Sequence, residues 1–313
     1  MIVTLTPNPS VDRTVAVDAL VRGAVLRATG SRIDPGGKGV NVSRALAAHG
    51  VETCAVLPTG GAEGSQLTAL LLLAGVAVRT VPISGSVRAN VSVVEPDGTV
   101  TKLNEPGPTL SAGEIDAVVE ATIKAAEGST WVVLSGSLPP GCPDDLYATL
   151  LRALPGPTVV DSSGASLAAA LPAGPDLVKP NREELAEVSG LPVDTVGQAV
   201  TAARSLLARG AKAVLASLGA DGAVLVEASG AWYGQAPVDA PVSSVGAGDA
   251  TLAGFLAGGG SGPAALCEAL AFGAAAVRLP GSRMPGPDDL DRSSVRIFDT
   301  VPTDLPLTKE SDL

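Results

Sequence analysis

At 313 residues and 46% hydrophobic, the chain is long enough to bury a large core as one large or two medium domains. Its 32 acidic against 21 basic residues give a net charge of −11, which argues against nucleic acid as a partner, because a phosphate backbone needs a stripe of Lys and Arg. Cys54, Cys142 and Cys267 are widely spaced and form no CxxC pair, which excludes a disulfide framework and a thiolate zinc site and suits a reducing compartment.

The N-terminus has no basic leader before an apolar core, so no signal peptide is expected, and a cytoplasmic location follows. Ile2 to Leu5 reads as a short strand, and Pro7-Asn8-Pro9-Ser10-Val11-Asp12 follows it. Ligands of open α/β sheets lie beyond the carboxyl ends of strands. Asp12 there can accept two sugar hydroxyls, or simply close an Asx turn. Residues 13–34 look extended. The glycines of Asp34-Pro35-Gly36-Gly37-Lys38-Gly39-Val40-Asn41 precede a helix and allow close backbone approach to a ligand, with Lys38 and Asn41 in reach of its polar groups. The spacing is not GxxxxGK[ST], so this is no Walker A loop; a flexible turn with a solvated lysine is the other reading. The stretch Leu67 to Val78 is too short to cross a bilayer, so no membrane partner is expected.

Residues 88–103 alternate around Pro96-Asp97-Gly98, a hairpin signal. With the extended 13–34 segment it forms either a small β lid or edge strands of the main sheet. Ser111 with Glu114 opens a helix through a capping box, and Gly128 stops it. From there short Val-rich runs alternate with amphipathic ones: Trp131 to Leu134, 144–154, Thr158 to Val160, 194–208 and Lys212 to Ser217. That rhythm predicts an α/β fold with a mostly parallel sheet covered on both faces. The tail 292–313 has little periodicity and is expected to be partly disordered, leaving 1–291 as the domain with lid segments at about 12–34 and 86–104.

Four further segments carry candidate groups. Ser135-Gly136-Ser137 offers a turn and hydroxyls. Asn181 and Glu184 share a helix face and either orient a hydrated Mg²⁺ or form an N-cap with its capping-box acid; both can hold at once. Ser217 to Ala223, with Gly219 and Gly222, is a tight turn on which a nucleotide can pack. Gly246, Ala247 and Gly248 lead into a helix whose first amides suit a phosphate. Asp249 among them is either an N-terminal helix acid or a base that takes a proton from a hydroxyl nucleophile. Arg27, Lys38, Arg88 and Lys102 supply basic groups for a second phosphate, or are solvated side chains.

Taken in order from Met1 to about Ala276, these segments resemble the ribokinase-like (PfkB) carbohydrate kinases, with GGKGVNVSRAL and SSVGAGDATLAGF as signature regions. TLTPNPSVDRTV, SGSLPPG, DSSG and VKPNREEL are most similar to the 1-phosphofructokinase group, and tagatose-6-phosphate kinases are very similar in all of them. The resemblance implies a three-layer sandwich with a β lid. It implies Asp249 as general base and the amides of Gly246, Ala247 and Gly248 as an anion hole. Asp12, Gly36, Gly37, Asn41 and Ser137 would hold the sugar, and Lys38, Arg27 and Arg88 the phosphate already on it. Asn181 and Glu184 would organise Mg²⁺ through water; Ser217, Gly219, Gly222 and Ser244 would border ATP. The family often uses K⁺ and often dimerises through the lid. Ser244 stands where the family has Thr, and Ala250 where it has Ser. The activity implied is phosphorylation of fructose 1-phosphate, with tagatose-6-phosphate or 6-phosphofructokinase activity as the alternative and a non-catalytic sugar-phosphate sensor as a third reading. A dinucleotide oxidoreductase would need GxGxxG after the first strand, where PNPSVD stands.

Overall fold

Val, Leu and Ile dominate the strand runs, and Val3, Val133, Val159 and Val214 are fully buried, as expected for strands covered on both faces. In a computed structural model of the chain, residues 1–308 are described. The first half runs β1 (Ile2–Leu5), β2 (Ser10–Ala16), β3 (Gly30–Gly36), α1 (Lys38–Ala48), β4 (Thr53–Thr59), α2 (Gly61–Leu73), β5 (Ala77–Pro82), β6 (Arg88–Val94), β7 (Val100–Leu103) and α3 (Ala112–Ala126). The second half runs β8 (Trp131–Ser135), α4 (Leu146–Ala153), β9 (Thr158–Asp161), α5 (Gly164–Ala170), β10 (Leu177–Val178), α6 (Arg182–Ser189), α7 (Val196–Ala208), β11 (Ala213–Ser217), β12 (Ala223–Glu227), β13 (Gly230–Gln235), α8 (Ala247–Ala257), α9 (Gly262–Val277) and β14 (Arg296–Ile297).

The main sheet has ten strands in the order β14-β13-β12-β11-β10-β9-β8-β1-β4-β5. From β5 to β11 every pairing is parallel; β12, β13 and β14 continue antiparallel. Successive residues face opposite layers. In β8, Val132 and Leu134 pack with α3 to α7, whereas Val133 packs with α1, α8 and α9. This is the α/β three-layer sandwich. Among the described residues no helix is long and apolar enough to cross a membrane.

The two segments that break the α/β rhythm form a separate four-stranded sheet, β3-β2-β6-β7, rather than edge strands of the main one. The capping box at Ser111 and Glu114 is present in both directions, so the helix start falls where the sequence puts it. Part of the tail 292–308 is packed on the domain. Arg296 and Ile297 pair with β13, and Leu307 is buried against α7 and its surroundings. Residues 309–313, which carry the most charged part of that tail, lie outside the described residues.

Candidate active site

Because β1, β8, β9, β10 and β11 run parallel, their carboxyl ends share one rim, and Asn8, Ser135–Ser137, Asp161, Lys179–Asn181 and Ser217 follow directly from them. Helix α8 starts on this rim. Its N-cap, Gly246, has φ 78°, a left-handed conformation that glycine adopts at little cost. Ala247, Gly248 and Asp249 form the first turn; the Ala247 amide donates to Ser244 O at 3.3 Å. Helix α1 packs beside α8 on the same face of the sheet, and Asn41 Nδ2 donates to Asp249 Oδ2 at 2.8 Å. Arg44 Nη1 donates to Asn41 Oδ1 at 3.0 Å, which holds the amide with its donor toward the carboxylate.

Asp249 is 7% exposed, and its pKa is pushed up to about 7. Burial is the main cause and the nearby Asp161 carboxylate the next; the Asn41 bond, Lys179 and Lys38 oppose the shift. Asp161 is fully buried at the end of β9. Lys38 Nζ bonds its Oδ1 at 2.8 Å, and Lys179 Nζ lies 3.1 Å from Oδ2, an oxygen that has no hydrogen-bond partner among the described residues. Burial would raise the Asp161 pKa, but the two lysines reverse this and hold it below the ordinary aspartate value. Burial likewise works against the Lys38 charge, yet Asp161 and Glu184 keep its pKa above the lysine norm. A Cβ on Gly248 would lie 3.4 Å from Lys179 Nζ, so that ammonium sits beside the amides at the start of α8.

Asp12 lies on β2 of the smaller sheet. Its Oδ1 accepts from Ser10 Oγ at 2.7 Å and Asn90 Nδ2 at 2.9 Å, and a Cβ on Gly36 would collide with its carboxylate. Gly36 and Gly37 lead into α1, so the chain itself joins Asp12 to Asn41. Asp12 and Asp249 both act on the half-buried Arg44 guanidinium, whose pKa is lowered mainly by desolvation. Arg88 donates through Nη2 to Asn8 O and Nη1 to Glu105 O, both at 3.0 Å, and its Nε has no partner among the described residues.

The rim thus gathers Asp12, Gly36, Gly37, Asn41, Gly246, Ala247, Gly248 and Asp249. Asn181 and Glu184 form a capping box in both directions at the start of α6, and Glu184 lies 3.4 Å from Lys38 Nζ. Ser217 pairs with Asn181 as an isolated parallel bridge, which brings the 217–222 turn alongside. Gly222 has a structural reason of its own: a Cβ there would collide with Gly234 O of β13. Lys38, expected at the substrate's phosphate, pairs with Asp161 and Glu184. Arg27 and Ser137 are exposed, the first in the connection between β2 and β3. Asp161, Lys179, Arg44 and Asn90 received no role from the sequence. The signal for Asp161 was the same as for Asp12, a carboxylate at a strand's carboxyl end; Lys179 stood beside it in VKPNREEL.

A profile of the pfkB family carbohydrate kinases matches residues 6–288. The chain is 41% identical over 263 residues to a 1-phosphofructokinase of Rhodobacter capsulatus, covering 82% of each chain. It is 36% identical over 300 residues to the ATP-dependent 6-phosphofructokinase isozyme 2 of Mycobacterium tuberculosis, covering 93% of this chain and 88% of that one. The crystal structure of phosphofructokinase-2 from Escherichia coli in complex with potassium superimposes with a TM-score of 0.85 at 33% identity, over 92% of this chain and 96% of that one. The matched span begins at the end of β1 and passes beyond α9, so it takes in each loop of the rim described above, and the chain belongs to the pfkB family of carbohydrate kinases.

Proposed function

We propose that this carbohydrate kinase transfers the γ-phosphoryl group of ATP to the 6-hydroxyl of fructose 1-phosphate. The observation that carries the reading is Asp249: a buried carboxylate with a pKa of about 7 in the first turn of a helix, beside amides that suit a phosphate. A base with its pKa near the working pH can be unprotonated and still hold a proton. Asp249 takes the proton of the attacking hydroxyl. The amides of Gly246, Ala247 and Gly248, with Lys179 beside them, offset charge developing on the phosphoryl oxygens. Asp12, Asn41 and the Gly36–Gly37 backbone hold the sugar. Arg88, through its unpartnered Nε, receives the phosphate already on the substrate. Arg27 joins it when the lid closes over the rim and excludes water, with Ser137 at the loop beneath.

The acidic groups near the nucleotide side fit a divalent cation that keeps most of its water. Asn181 and Glu184 at the start of α6 would hold it through its waters, beside Lys38, which joins Glu184 to Asp161. Bound Mg²⁺ would neutralise charge on the ATP phosphates. Ser217, Gly219, Gly222 and Ser244 border the nucleotide in this reading, and K⁺ near that loop completes it. The exposed apolar residues of the lid, Val100 and Leu103 on β7 with Val21 and Val25 in the connection before β3, support a homodimer through that sheet in the cytoplasm.

The 6-phosphofructokinase relative favours a second reading, with fructose 6-phosphate as acceptor. Initial rates with MgATP and fructose 1-phosphate, fructose 6-phosphate or tagatose 6-phosphate separate the readings. The highest kcat/KM with fructose 1-phosphate is expected; negligible turnover of it beside brisk turnover of a 6-phosphate overturns the choice.

A further inference from the structure

The C-terminal segment 302–308 crosses α7 and ends at the 217–222 turn. The first amides of a helix have no partner within it. At α7 this segment supplies them: Val196 N donates to Leu305 O at 3.0 Å and Gly197 N to Thr303 O at 2.9 Å. A Cβ on Gly197 would lie 2.7 Å from Thr303 O, so the segment rests directly on the helix. Leu307 is buried, and its amide donates to Asp194 O at 2.9 Å.

Thr308 then places two donors on one carboxylate. Its amide bonds Asp221 Oδ2 at 2.7 Å and its hydroxyl bonds Asp221 Oδ1 at 2.9 Å. Its carbonyl accepts from Arg182 Nη1 at 2.6 Å. Arg182 is the first residue of α6, next to Asn181, and its Nε also holds Val193 O at 2.7 Å. Asp221 ends the single turn Gly219–Asp221, and its carbonyl accepts from the hydroxyl of Tyr233 at 2.7 Å. One residue near the end of the chain therefore grips both the turn and the helix that flank the nucleotide side of the rim.

We propose that Thr308 is a positioning residue for nucleotide binding, a clasp that fixes the Asp221 turn relative to α6. The inference rests on the reading of 217–222 as the loop that borders ATP. A loop ordered before the ligand arrives spares the ligand the cost of ordering it. Bonds to an ionised carboxylate are the stronger kind, and two of them fix orientation as well as distance. Without the clasp the turn keeps its own backbone bonds, Leu218 N to Gly222 O and Asp221 N to Leu218 O, and the Tyr233 hydroxyl on Asp221 O, but nothing ties the Asp221 side chain to the C-terminal segment and through it to Arg182 of α6.

The test is the full chain with Thr308→Ala, Asp221→Ala, the double variant and Thr308→Ser, assayed by steady-state kinetics and by calorimetric titration with MgATP. Asp221→Ala, which removes both bonds, is expected to raise KM and Kd for ATP about tenfold (~1.4 kcal/mol), and Thr308→Ala, which keeps the backbone bond to Oδ2, to raise them by about threefold, with kcat and the KM for sugar phosphate within about twofold of the parent in both. The double variant is expected to match Asp221→Ala, because the Thr308 hydroxyl has no acceptor left once that carboxylate is gone. Thr308→Ser keeps both donors and is expected to match the parent. Unchanged ATP affinity in the alanine variants refutes the clasp, as does an equal loss for ATP and sugar phosphate together with a lower Tm, the mark of a merely structural contact. A parent protein that binds no MgATP refutes the nucleotide reading of the loop, and this proposal with it.

Discussion

Replacing Asp249 by Asn tests the electrostatic account through stability rather than rate. Folding raises the Asp249 pKa from 3.8 to about 7, chiefly by burial and by the Asp161 carboxylate. The folded state therefore holds a proton that the unfolded state has released between those two values. Stability falls as pH rises through that window, because the native state binds more protons than the unfolded one. At 1.36 kcal/mol per unit, the buried charge costs on the order of 4 kcal/mol above pH 7, and roughly 1.5 kcal/mol of that is already present at pH 5. Asn has the same shape and still accepts from Asn41 Nδ2, but it does not titrate. Denaturant unfolding of parent and Asp249→Asn at pH 5 and pH 8 reads the difference. The stability of the variant relative to the parent is expected to increase by about 2–3 kcal/mol from pH 5 to pH 8. A difference that stays flat across this range, or shrinks, refutes the claim that the carboxylate is buried at an energetic cost.

Three further outcomes follow from the rim geometry. Lys179→Met removes one of the two cations on Asp161, so the ascending limb of kcat/KM near pH 7 is expected to move up by about one unit; the Tm is expected to drop as well, since breaking a buried pair costs about 3–5 kcal/mol. Gly36→Ala puts a methyl into the Asp12 carboxylate, and steady-state kinetics should show KM for the sugar phosphate up at least tenfold, roughly what a small displacement of a positioning group costs, with KM for ATP unchanged. Gly246→Ala forces alanine to φ 78° and presses on Met284 Cε, 2.6 Å from the new methyl; thermal unfolding should show about 1–3 kcal/mol of destabilisation, accompanied by a lower kcat.

Much of the architecture was legible because local pattern and burial agree. The strand at Trp131–Ser135 is a run of apolar residues buried on both faces, and the starts of α3 and α6 are written in capping boxes, Ser111 with Glu114 and Asn181 with Glu184. The hairpin at 88–103 showed its turn but not its sheet, since parallel pairing of β6 with β2 joins residues some eighty positions apart. The same limit hid the charge network. Lys38 and Asp161 are 123 positions apart, and their contact exists because α1 and β9 deliver them to one rim. The glycine loop marks Lys38 as near a ligand, but the carboxylates that pair with its ammonium are set by topology. The packed part of the tail was not legible for a related reason. Its order comes from bonds to α6, α7 and the 217–222 turn, which leave no periodicity in the segment itself. Asn41 and Asp249 were candidates because each stands beside glycines at the start of a helix, where the backbone can approach a ligand, and Asp12 because it follows the first strand.

The central claim is that Asp249 is the base and that the rim binds nucleotide independently of it. Asp249→Ala, measured for kcat with fructose 1-phosphate and for MgATP affinity by calorimetry, addresses both parts at once. The account predicts a fall in kcat of about 10²–10⁴ with the Kd for MgATP within a few-fold of the parent. A variant that turns over within about tenfold of the parent would contradict it, because a general base cannot be removed at so small a loss.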